Sequence, residues 1–74
     1  MNARDARFVL NELLLIASFQ DDSMEQAVKG AVSMGSIEAR PTSFHTALTD
    51  GGLSVTFHTA EGPKRFRIEV TEAD

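Results

Sequence analysis

With 74 residues and no cysteine, the chain reads as one domain, and disulfides, thiolate nucleophiles and sulfur-rich zinc sites are excluded together. Eleven acidic residues against seven basic ones give a net charge of −4, a sign that disfavours non-specific binding to nucleic-acid phosphates. A chain this short buries only ~60% of its unfolded surface, so oligomerisation or a tight partner is the expected source of additional stability.

The first element is a helix from about Ala3 to Phe19, with Asn2 as its cap and Asp5 three residues on, near the positive helix N-terminus. At 100° per residue, Val9, Leu10, Leu13, Leu14, Ile16 and Ala17 form one broad apolar face. Phe8, Leu15 and Phe19 form a second stripe on the opposite side, among Arg4, Asp5, Asn11 and Glu12. A helix that is apolar on two sides needs two layers of cover or a place in a larger assembly. From Leu13 to Phe19 the run is far shorter than the ~20 apolar residues of a membrane span, and no signal peptide is evident. A cytoplasmic location is the expectation.

Gln20-Asp21-Asp22 breaks the pattern, and Ser23-Met24-Glu25-Gln26 fits an S-x-x-Q capping box opening a second helix. Met24, Ala27, Val28, Ala31 and Met34 recur at helical spacing, and Gly35 is placed to end the helix as a left-handed C-cap. Residues 36 to 42, with the Arg40-Pro41 step, fit a short edge strand or the bent start of the next one.

The period then changes from 3.6 to 2. Phe44, Thr46 and Leu48, then Leu53, Val55 and Phe57, then Phe66, Ile68 and Val70 alternate with polar residues, which predicts three half-buried strands. Asp50-Gly51 as a two-residue loop sets Leu48 against Leu53 and Phe44 against Phe57. Glu61-Gly62 as the second loop sets Phe57 against Phe66 and Leu53 against Val70. A slip of two residues keeps the same faces, so that register stays open. The predicted class is α+β: two N-terminal helices (residues 3–34) packed on a three-stranded, or four-stranded, antiparallel β-meander (residues 36–71), in the order α-α-β-β-β within a single domain 1–74.

Catalytic constellations are missing from the sequence. No nucleophile elbow frames a serine, and no glycine-rich loop or P-loop could cradle phosphate. His45 and His58 can approach across the first hairpin, but spacing secures no third metal ligand, so neither metal nor cofactor is expected. The expectation is a non-enzymatic protein-interaction module. It would act as a homodimer, or as an adaptor or inhibitor covering a partner's surface. Very small acidic proteins of phage or mobile-element type that inhibit host defence nucleases are a class-level association. The candidate partner-binding residues are Phe8, Leu15 and Phe19 as anchors with Asn11 and Glu12 at the rim. The alternative is a nucleic-acid-contacting surface made of Arg40, His45, His58, Lys64, Arg65 and Arg67, with Lys64, Arg65 and Arg67 as a basic cluster on the outer sheet face.

Overall fold

A computed structural model describes residues 1–35, 37, 38 and 40–73. Two helices, α1 (Ala3–Ser18) and α2 (Ser23–Met34), precede three strands, β1 (Ser43–Thr49), β2 (Gly52–Thr59) and β3 (Gly62–Glu69). The strands form one antiparallel meander in the order β1-β2-β3, so the α+β class and the α-α-β-β-β order hold.

Local chemistry accounts for most of the element ends. The Asn2 side chain accepts from the Asp5 backbone N–H at 2.9 Å and closes the first turn of α1. The start of α2 differs from the capping-box expectation. Asp22 occupies the cap position without a side-chain bond. Ser23 is already helical, and its hydroxyl donates backwards to the carbonyls of Ala17 and Gln20, tying α2 to the end of α1. Gly35 is extended (φ 174°) rather than left-handed, so α2 simply runs out there. Of the possible strand over residues 36 to 42, Ser36 and Ala39 lie outside the described residues, and the described ones are not in a strand.

The first hairpin has the expected register, with Leu48 opposite Leu53 and Phe44 opposite Phe57. Gly51 supplies the positive φ (79°) that the tight loop Asp50-Gly51 requires. The second hairpin is slipped by two residues from the Glu61-Gly62 expectation. Its loop is Ala60-Glu61, Thr59 faces Gly62, Val55 faces Phe66 and Leu53 faces Ile68. The Thr59 hydroxyl fixes this choice: it donates to the Gly62 carbonyl at 2.8 Å and accepts from the Glu61 N–H at 3.2 Å. Gly62 then takes the left-handed step (φ 113°).

The inner sheet face carries Phe44, Thr46 and Leu48, then Leu53, Val55 and Phe57, then Lys64, Phe66 and Ile68. A row of phenylalanines crosses it, with ring centroids 6.2 Å apart for Phe44–Phe57 and 6.0 Å for Phe57–Phe66, both tilted. Such pairs contribute ~0.5–1.5 kcal/mol beyond the area they bury. α1 lies across this face over β1, with a lesser contact to β2. Among the described residues the buried hydrophobic side chains are Leu53 (1% exposed) and Val55 (5%), both on the middle strand.

Gly52 of β2 packs closely against the backbone of β3. A Cβ there would stand 1.9 Å from the Ile68 carbonyl oxygen, which is backbone and cannot rotate aside. Gly52→Ala is expected to lower stability by ~2–4 kcal/mol, read from denaturant midpoints, because β2 and β3 must separate to admit one methyl group. The same substitution at Gly30, which has open space around it, is expected to be neutral or stabilising.

Candidate functional site

The seat of α1 decides which surfaces remain open. The Arg7 guanidinium donates to the Thr49 carbonyl at the end of β1. One turn further on, the Thr46 hydroxyl donates to Asn11 Oδ1 at 3.0 Å. Leu14, one turn beyond, lines the same cleft as Phe44 and Val55. Arg7, Asn11 and Leu14 are therefore the sheet-facing line of α1. The broad apolar face from Val9 to Ala17 is thereby split, with Leu14 and Ala17 on the side of the sheet. Val9, Leu13 and Ile16 lie on the far side of the helix, 45%, 57% and 56% exposed.

With α1 over β1, no helix among the described residues lies on the inner face of β3. Phe66 and Ile68 stand 56% and 42% exposed. They form the floor of a cleft of about 370 Å³, walled by Leu14 of α1 and by Met24 and Ala27 of α2. Phe57 and Phe66 carry this apolar surface on towards Ile37, Pro41 and Lys64. Among the described residues, none that lines the main cleft is charged. Its one polar side chain there, Ser23, is occupied with backbone carbonyls. The cleft thus offers apolar area and aromatic faces, with no donor or acceptor among those side chains to orient a polar substrate.

The residues singled out from sequence are dispersed. Phe8 is partly exposed and lies under two guanidinium groups, Arg4 at 5.4 Å and Arg7 at 5.1 Å from the ring centre. Leu15 is half-buried, while Glu12 is exposed and Phe19 is 79% exposed. α2 does not lie across this stripe; its contact with α1 is slight. Asn11 is the clearest departure, since it faces the sheet and bonds Thr46 instead of standing at a rim.

The basic cluster is also divided. Strand alternation puts Arg65 and Arg67 on the outer face, opposite Thr56 and Ser54, and Lys64 on the inner face, opposite Phe57. Arg40 lies in the connection beside Asp21, Glu25 and Lys29 at the start of α2, away from the outer face. Arg67 donates to the Asp50 carbonyl at 3.4 Å and stands 4.0 Å from Glu69, both in solvent-exposed settings that contribute little. His45 and His58 meet diagonally across β1 and β2, with Nδ1 of His45 3.0 Å from Nε2 of His58. One ring nitrogen must therefore be unprotonated to accept. Glu69 pairs with Gly52 at the other end of the sheet, and among the described residues no three His, Cys, Asp or Glu side chains are grouped to hold a metal ion. No helix of the described residues is long and apolar enough to cross a membrane.

No protein-family model, curated protein or solved structure matches this chain.

The position of α1 can be tested directly. Asn11→Ala and Thr46→Val are each expected to destabilise by ~1 kcal/mol. Their double-mutant cycle is expected to return a coupling of ~0.5–1.5 kcal/mol, since each removes one partner of the same half-buried bond. An additive double mutant would mean that α1 is not held over β1 by this contact.

Proposed function

We propose that this chain is a non-enzymatic protein-interaction module whose binding surface is the apolar cleft on the inner face of β2 and β3, together with the exposed row of α1. The open cleft carries this reading. A chain of this length packed to ordinary density has a radius of gyration of about 11 Å. Here it is 13.3 Å, in a body 35 Å long. The surface left uncovered on the inner sheet face is aromatic and aliphatic.

Protein surfaces are the ligands that suit such a site. A polar substrate entering it would lose its hydration without replacement hydrogen bonds. An apolar protein surface gains by the same burial, at ~25 cal/mol per Å². Contiguous exposed apolar area on this scale is a recognised mark of an interaction site. The outer sheet face does not support the nucleic-acid alternative equally well. Its arginines are separated from Lys64 and Arg40, and among the described residues no aromatic ring lies on the outer side of the strands to stack a base, the imidazoles of His45 and His58 being engaged with each other.

The test combines light-scattering mass over a wide concentration range with binding of an apolar fluorescent dye at low concentration. The expected result is either self-association or a monomer that binds the dye strongly. A monomer that leaves the dye dark at every concentration would mean that α2 closes the cleft in solution, and the reading would fall.

A further inference from the structure

Building on the interaction-module reading, we infer that the occupant of the cleft is a second copy of this chain, and that the seated element is its α1. Under a two-fold axis the exchange is reciprocal: the Val9, Leu13 and Ile16 row of each copy lies on Phe66 and Ile68 of the other.

Four observations converge on this occupant. The first is shape. The cleft is an open trough along β3, walled by its own α1 and, through Met24 and Ala27, by α2. α1 has 16 residues and is ~24 Å long, against ~26 Å for the eight residues of β3.

The second is the two-sidedness of α1. Its sheet-facing line is Arg7, Asn11 and Leu14, and its far side carries Val9, Leu13 and Ile16 with the exposed carboxylates of Asp5 and Glu12 beside them. A helix with one face on its own sheet and an aliphatic row on the reverse suits a place between two sheets. The chain thus carries both halves of one contact, an apolar row and an apolar trough, so a two-fold operation satisfies both at once.

The third is area. With ~150–200 Å² for a fully exposed large side chain, the exposed fractions of Val9, Leu10, Leu13, Ile16, Phe66 and Ile68 amount to on the order of 500 Å² of apolar surface per chain. A standard stable interface buries ~800 Å² per partner, of which ~56–65% is apolar, the same order.

The fourth is charge. Asp5 and Glu12 flank the aliphatic row of α1, and both are exposed. Lys64 stands on the inner face of β3 beside Phe66. The row and the trough therefore carry flanking charges of opposite sign, which favours this pairing over wrong ones.

A charge-exchange experiment separates this arrangement from others. Ile16→Lys and Phe66→Glu are made in separate copies of the whole chain, and folding of each is checked by circular dichroism. Both sites are more than half exposed, so both variants should keep their fold. Each variant alone puts two uncompensated charges into the dimer and is expected to raise its dissociation constant ~100-fold or more. Mixed together, the two should associate again. One of the two symmetry-related contacts is then native on both sides, and the other sets the introduced ammonium against the introduced carboxylate. Light-scattering mass and the recovery of a heterodimer labelled on one variant give the readout. If Ile16→Lys unfolds, Leu13→Lys replaces it.

Recovery on mixing supports the reciprocal seating. Two variants that stay monomeric on mixing overturn it while leaving self-association intact. An Ile16→Lys variant that dimerises as well as the wild-type chain also overturns it, and points instead to pairing between the free edges of β3. A wild-type chain that is monomeric at all concentrations and binds the apolar dye removes the second copy as occupant, yet leaves the cleft as a site for a different protein.

Discussion

One α-helix is ~10 Å across, while three strands spaced ~4.8 Å apart present an apolar face about half as wide again. A single helix cannot cover such a sheet, and where it settles decides what stays bare. Here α1 settles over β1, held at Arg7 by the Thr49 carbonyl and at Asn11 by the Thr46 hydroxyl. The uncovered β3 face, the cleft and the outward row of α1 all follow from that seat. The seat is itself imperfectly satisfied: Arg7 Nε and Thr49 Oγ1 are buried without partners among the described residues. Unpaired buried polar atoms cost ~1–3 kcal/mol each, so the helix gains less from its own sheet than an all-apolar contact would give.

The remaining stability has a narrow base. Leu53 and Val55 lie on the inner face of the middle strand, in its first half, with a neighbouring strand on either side. Burial of such side chains contributes ~1.5–3 kcal/mol apiece, and the phenylalanine row adds to it across the sheet. Against the conformational entropy of ordering the whole chain this is a small core. The largest remaining apolar resource is the surface that a partner would cover. Association and stability are then coupled, since whatever binds the native state alone also raises its stability.

The outer sheet face has a different character. Threonines, serines, two histidines and two arginines alternate there with the inward residues, in settings open to water. Its contacts are the ordinary ones of a solvated sheet: a diagonal imidazole pair, an arginine on a turn carbonyl, a wide ion pair. The same pleat that gives β2 and β3 a common apolar side sends Lys64 and Arg65 to opposite faces. Three basic residues close in sequence therefore do not add up to one basic patch.

What the sequence determined by itself is what depends on neighbours along the chain. The Asn2 cap, the extents of both helices, the 2-residue period of the strands and the loop at Asp50-Gly51 are short-range, and each was legible in a few residues. The register of the second hairpin was half legible. Two pairings keep the same faces, and the choice rests on a side-chain clamp from Thr59 that no periodicity registers. The rotation of α1 was not legible. Periodicity marked two apolar faces without choosing which would meet the sheet, and the polar line Arg7 to Asn11 found fixed partners at one edge of the sheet, 42 and 35 residues away in sequence. Helical spacing records which residues share a face, whereas the surface that receives that face is assembled from strands made later in the chain. Only the tertiary structure could therefore decide that the aliphatic row points outward and that the bare surface lies on β3.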